Sequence, residues 1–76
     1  MIRYDEHAEF QLKRRRIEKN WVEEALLNPD ESETKTQRRS FLKCLPDRKF
    51  ALRVVTPLHD PEYVITAYFD RRRRCE

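Results

Sequence analysis

Up to Pro29 the apolar residues recur at helical spacing, and beyond it they alternate, so a change of period inside 76 residues restricts the chain to a mixed fold. Before the proline, "DEHAEFQLKRRRI" predicts a helix over residues 5–16. Asp5 supplies the N-cap or first-turn acid, Ala8, Phe10 and Leu12 the apolar positions, and Arg14 to Arg16 suit the negative end of the dipole. A second helix is expected over 19–27, where Val22, Ala25, Leu26 and Trp21 make a stripe that Pro29 stops. After Pro29, strands are expected at about 32–37, 39–45, 49–56 and 62–69, with a basic tail over 70–76. Loops this short favour an antiparallel meander. The expected fold is a single α+β domain in which two N-terminal helices pack on one face of a three- to four-stranded antiparallel sheet.

Alternation sorts the strand residues by face. Leu52 and Val54 pair with Ile65, Ala67 and Phe69 as the helix-covered side, which leaves Ala51, Arg53, Val55, Val64, Thr66 and Tyr68 on the other. The strand around Phe41 has an apolar residue on both faces. If Lys43 shares a face with Arg53 and Tyr68, the uncovered side carries two cations, a hydroxyl and a phenol.

Several function classes are excluded by composition. With no Gly in the chain, a glycine-rich phosphate loop is impossible, and left-handed turns must use Asn or Asp or be avoided. Cys44 and Cys75 are the only cysteines, so neither a disulfide framework nor a CxxC metal site is expected, and a reducing cytoplasm fits best. No run approaches the ~20 apolar residues of a membrane span, and "MIRYDEHAEF" lacks a signal-peptide core. No cofactor is called for, and a chain of this length leaves little room for a large enclosed cavity. The net charge of +3 hides an asymmetry. Residues 1–34 hold six Lys/Arg against nine Asp/Glu, and residues 35–76 hold eleven against five, so the second half is the anion-facing one.

The order of His7-Ala8, Leu12, Arg15, Ile17, Val22, Ala25-Leu26 and Asn28-Pro29, followed by Arg39, Phe41 and Lys43 and then "ALRVV" and "VITAYF", resembles the domain-of-unknown-function 4258 family. That family commonly has Gly where this chain has Arg16, at the turn between the helices. It looks related to the RelE and BrnT type of toxin from toxin–antitoxin operons. The resemblance implies a RelE-like fold whose exposed sheet face meets messenger RNA, ribosome-associated RNA included, and a cognate antitoxin as partner.

Metal-independent RNA cleavage requires a base for the ribose 2′-hydroxyl, cations for the developing phosphorane charge and an acid for the leaving oxygen. Lys43, Arg53 and Tyr68 are the candidates, with His7, at a first helical turn, as the candidate base. Arg14, Arg15, Arg71, Arg72, Arg73 and Arg74 are the candidate nucleic-acid contacts. The plainer alternatives are a solvated sheet face, a packing or capping His7, and a flexible tail that only aids solubility. Two rivals stand beside the toxin-like ribonuclease: a non-catalytic nucleic-acid module, and a protein-interaction or self-associating domain with exposed Phe41, Val55 and Val64 as its adhesive patch. Trp21 is expected in the core and His59 in solvent.

Overall fold

The structure is a computed structural model and describes residues 1–75. The chain runs β1 (Arg3–Tyr4), α1 (Glu6–Arg15), α2 (Lys19–Leu27), β2 (Glu31–Lys35), β3 (Arg38–Lys43), β4 (Phe50–Pro57), β5 (Tyr63–Val64) and β6 (Thr66–Arg74). As the change of period implies, the fold is α+β: α1 and α2 cover one face of a four-stranded antiparallel sheet of order β2-β3-β4-β6. A short parallel pair, β1 with β5, stands beside it.

Local chemistry starts and ends α1. Asp5 caps it, its carboxylate accepting the His7 backbone N–H at 3.1 Å and the Tyr63 hydroxyl at 2.7 Å, so the cap also ties the helix to β5. At the other end Ile17 N–H donates to the Leu12 carbonyl at 2.9 Å and Arg16 N–H to that of Lys13 at 3.3 Å. This is a Schellman motif, sealed by Leu12 and Ile17 packing together in the core. Its left-handed position is Arg16, with φ 58° and ψ 43°. In the absence of glycine, Thr36 and Asp47 also take positive φ. Asp is a residue that tolerates this region, whereas Arg16 and the β-branched Thr36 bear its steric cost.

The core lies between helices and sheet. Ala8 and Leu12 of α1, Val22 and Ala25 of α2, and Phe41, Leu52, Val54, Val64 and Ala67 are all buried there. Trp21 packs against this cluster and meets Phe69 edge to face, with centroids 6.4 Å apart. Phe10 departs from the expected stripe and is 61% exposed, because Ala8 and Leu12, four apart, already define the buried face of α1.

Four sequence expectations are corrected. The strand expected over 62–69 divides at Ile65: Tyr63–Val64 pairs with β1, which turns Val64 into the core, and only from Thr66 does the chain join the main sheet. Val64, Phe41 and Val55 are therefore all buried and form no adhesive patch. The basic tail is no flexible tail either, since β6 continues to Arg74 through the arginine run. Finally, Cys44 and Cys75 form a disulfide across 31 residues, with Cα atoms 5.7 Å apart. β3 and β6 flank β4 on opposite sides, so where β4 has not yet begun the ends of its two neighbours can close on one another. No spacing motif signals such a pairing in the sequence.

Replacing Arg16 by Gly is expected to stabilise the domain by about 1 kcal/mol, the relieved left-handed strain exceeding the added chain entropy of Gly. In a domain of this size that moves the thermal midpoint up by roughly 4–8 °C, readable by circular dichroism. An unchanged or lower midpoint contradicts it.

Candidate nucleic-acid interface

The sheet face turned away from the helices is built of two rows of side chains set by strand register. Glu31, Leu42, Arg53 and Tyr68 lie opposite one another in the first, and Glu33, Ser40, Val55 and Thr66 in the second. The sheet curves these rows into an open groove of about 1060 Å³. Six cations and two carboxylates line it, which makes it net positive.

Its floor is an ion-pair network. The Arg53 guanidinium donates from Nε to Asp70 at 2.8 Å and from Nη1 to Glu33 at 3.1 Å, and its side chain is only 13% exposed. Arg73 reaches back across the sheet and bridges Glu31 and Glu33. Leu42, which lies between Glu31 and Arg53 in the same row and points away from the helices, is only 2% exposed. Ala51 and Val55, on the same face, are buried too.

The network fixes its own charges. The Arg72 backbone N–H, at 2.9 Å, and the Arg53 guanidinium hold the Asp70 carboxyl below its ordinary range. Hydrogen bonding from Arg53 does the same for Glu33. Burial works against the Arg53 charge, but the bonds to Asp70 and Glu33 outweigh it and hold its pKa above the ordinary arginine value.

Tyr68 is 36% exposed and lies opposite Arg53. Arg15, from the last turn of α1, donates to the Ala67 carbonyl at 2.8 Å and sets its guanidinium 5.8 Å from the centre of the Tyr68 ring. Around the groove, Lys35, Arg38, Arg71 and Arg72 form no ion pair among the described residues.

The candidate catalytic residues are not gathered. Arg53 and Tyr68 are neighbours on the open face. Lys43, expected beside them, lies opposite Leu52 on the helix side, 3.9 Å from Glu24 and 3.7 Å from Asp30. The parity of β3 explains this correction: Phe41 opposite Val54 enters the core, and Lys43, two residues on, follows it to the same face. His7 is exposed at the start of α1, its ring paired with Gln11 at 3.2 Å, and does not line the groove. Of the candidate nucleic-acid contacts, Arg71 to Arg73 line the groove, Arg15 stands at Tyr68, Arg74 lies with its guanidinium 6.0 Å from the Phe50 ring, and Arg14 is exposed on α1. His59 is exposed in the turn before β5. Sequence reasoning missed Glu31, Glu33 and Asp70. Their signal is alternation, because Asp70 is two residues from Tyr68 and Glu31 and Glu33 are two apart on an edge strand. No group of three or more His, Cys, Asp and Glu side chains that could hold a metal occurs among the described residues.

Since the carboxylates of Asp70 and Glu33 are more acidic in the folded state, the stability they contribute is complete above the unfolded values, ~3.9 and ~4.3, and is lost as pH falls through the folded ones. Asp70→Asn is expected to cost about 2 kcal/mol at pH 7, by leaving Arg53 half-paired, and to flatten the loss of stability below pH ~4. Urea unfolding of both proteins across that range checks both signs.

The chain belongs to the family described as domain of unknown function (DUF4258), whose match covers residues 4–69. No curated protein and no solved structure matches it.

Proposed function

From this family membership and the groove, we propose that the protein is a toxin-like, RNA-directed binding protein of the cytoplasm, whose open sheet face takes single-stranded RNA. The observation that carries the proposal is the segregation of charge on that face. Arg53 and Arg73 are consumed by carboxylates, while Lys35, Arg38, Arg71 and Arg72, around an exposed tyrosine, form no ion pair among the described residues. Unpaired cations meet phosphates, and a phenol ring stacks on a base whatever its identity. The target class, RNA, and a cognate antitoxin that covers the groove or adds a strand to the open edge of β2 are part of this proposal and rest on the resemblance of the sequence to RelE-type toxins.

Binding without cleavage is the form the geometry favours. Arg53 is already saturated by Asp70 and Glu33, and Lys43 and His7 lie outside the groove, so cations, base and acid do not converge on one phosphate. No helix is long and apolar enough to cross a membrane among the described residues.

Titration of a fluorescein-labelled single-stranded oligouridylate, followed by anisotropy over a range of salt, tests the proposal. Four phosphate contacts predict a slope of about −3 in log K against log salt. Arg71→Ala with Arg72→Ala should reduce that slope by about 1.4. Tyr68→Ala should weaken binding about tenfold with an unchanged circular dichroism spectrum. RNA should remain intact in EDTA throughout. Absence of salt-dependent binding at high protein concentration refutes the groove, and degradation abolished by Arg53→Ala would restore the ribonuclease.

A further inference from the structure

The covalent hold on the arginine run is the bond from Cys75 to Cys44, and its other ties are exposed or few. Between Asp70 and Arg74 the strand carries three residues that have no counterpart in β4, whose Ala51 and Phe50 pair with those two ends. Past this bulge the backbone regains β4 only at Arg74 and through Cys75 N–H donating to the Lys49 carbonyl at 2.7 Å. Among the described residues the other ties are the Arg72 N–H bond to Asp70 at 2.9 Å, the Arg74 guanidinium near the Phe50 ring, the Arg73 bridge to Glu31 and Glu33 on a partly exposed surface, and the Cys44–Cys75 bond. Cys44 is exposed and Cys75 half-buried, so a thiolate from solvent can reach the bond at Cys44.

We propose that the Cys44–Cys75 disulfide is a redox-cleavable clasp that sets the affinity of the groove for RNA. The inference rests on the RNA-directed reading of that groove and adds its regulation. In a reducing compartment an accessible disulfide is transient and reports redox state. Cleavage is a two-electron exchange with a dithiol. One thiolate of the dithiol attacks Cys44 Sγ and Cys75 leaves as a thiolate. The second thiol of the dithiol then attacks the mixed disulfide and releases Cys44. The dithiol ends as a disulfide and its two protons pass to the two cysteines.

Opening the clasp changes the groove in two ways of the same sign. Arg71 and Arg72 lose their fixed place at its rim, and Arg73 loses its hold, which bares Glu31 and Glu33 beside the path of the phosphates. The oxidised protein is the tight binder and the reduced protein the weak one.

The test uses the full chain, oxidised or treated with dithiothreitol, with thiol alkylation and mass reporting the state of the bond. Trypsin sensitivity at Arg71 to Arg74 reports the tail, and oligouridylate anisotropy reports the groove. Reduction should expose the run to trypsin and raise the half-saturation concentration about tenfold. Cys44→Ser and Cys75→Ser should each match the reduced protein with no reductant and ignore its addition. A run that resists trypsin equally once the bond is open overturns the clasp. A freed run with unchanged RNA affinity overturns its control of the groove while the groove reading stands. A freed run with RNA binding in neither state overturns the groove reading and, with it, the regulation.

Discussion

Arg53 is the residue on which the open half of this domain depends. A guanidinium on a side chain only 13% exposed cannot be left without partners, and it has two, Asp70 from β6 and Glu33 from β2, so a single side chain ties the centre of the sheet to both its edge strands. Glu33 in turn receives Arg73. The arrangement solves a problem of a sheet with helices on one side only, namely that Leu42, Ala51 and Val55 would otherwise face water. All three are buried, and arginine stems can shield such positions while the charged ends stay near the surface. Such a network contributes little net stability beside an apolar replacement of equal shape, since desolvation offsets most of its attraction. What it adds is position: it determines which strand lies where and keeps the two arginines from competing for outside anions.

On the covered side the constraint is steric. Without glycine, the turn that brings α2 back against the sheet is made by an arginine in left-handed geometry, held there because Leu12 and Ile17 on either side of it are both committed to the core. Three non-glycine residues in this region are a noticeable burden for a chain of 76, whose core is small. The burden falls at connections: Arg16 ends α1, Thr36 opens the two-residue link between β2 and β3, and Asp47 lies in the turn before β4. Left-handed geometry at the first central position, as at Thr36, is the sign pattern of a type II′ hairpin, whose twist suits the flanking strands.

What the sequence disclosed follows the same division. Helices, strands and the class of fold were legible because period is a local property, and Leu52, Val54 and Ala67 were sorted to the covered face because alternation there is unambiguous. β3 was not legible. Phe41 and Leu42 are adjacent and both apolar, and only the pairing of Phe41 with Val54 decides which enters the core and therefore where Lys43 points. The open face was legible in outline, through Arg53 and Tyr68, and misjudged in charge. Counting cations along a chain says nothing of the carboxylates that long-range pairing will bring to them, and Glu33 is 20 residues from Arg53. The disulfide lay furthest out of reach, because it needs two strands placed on either side of a third.

This division between paired and unpaired cations bears on what the groove can do with an anion. For a phosphate to engage Arg53 it must displace Asp70 or Glu33, and the displaced carboxylate then loses the guanidinium bonds that help keep it acidic while remaining close to the incoming charge. Arg38, Arg71 and Arg72 have no carboxylate partner among the described residues, so a phosphate that engages them displaces none of these. The second exchange is the less costly one, so on the proposed reading an anion follows the rim and leaves the floor intact. Tyr68 is the exposed aromatic ring on the groove's lining, beside a floor whose two arginines are held by three carboxylates, and on the proposed reading a base, the uncharged part of a nucleotide, lies there. On the RNA-directed reading we propose, the rim is assigned to the backbone and the ring to a base, and the strand then needs bases free of a partner, because a duplex buries the faces that Tyr68 would stack on.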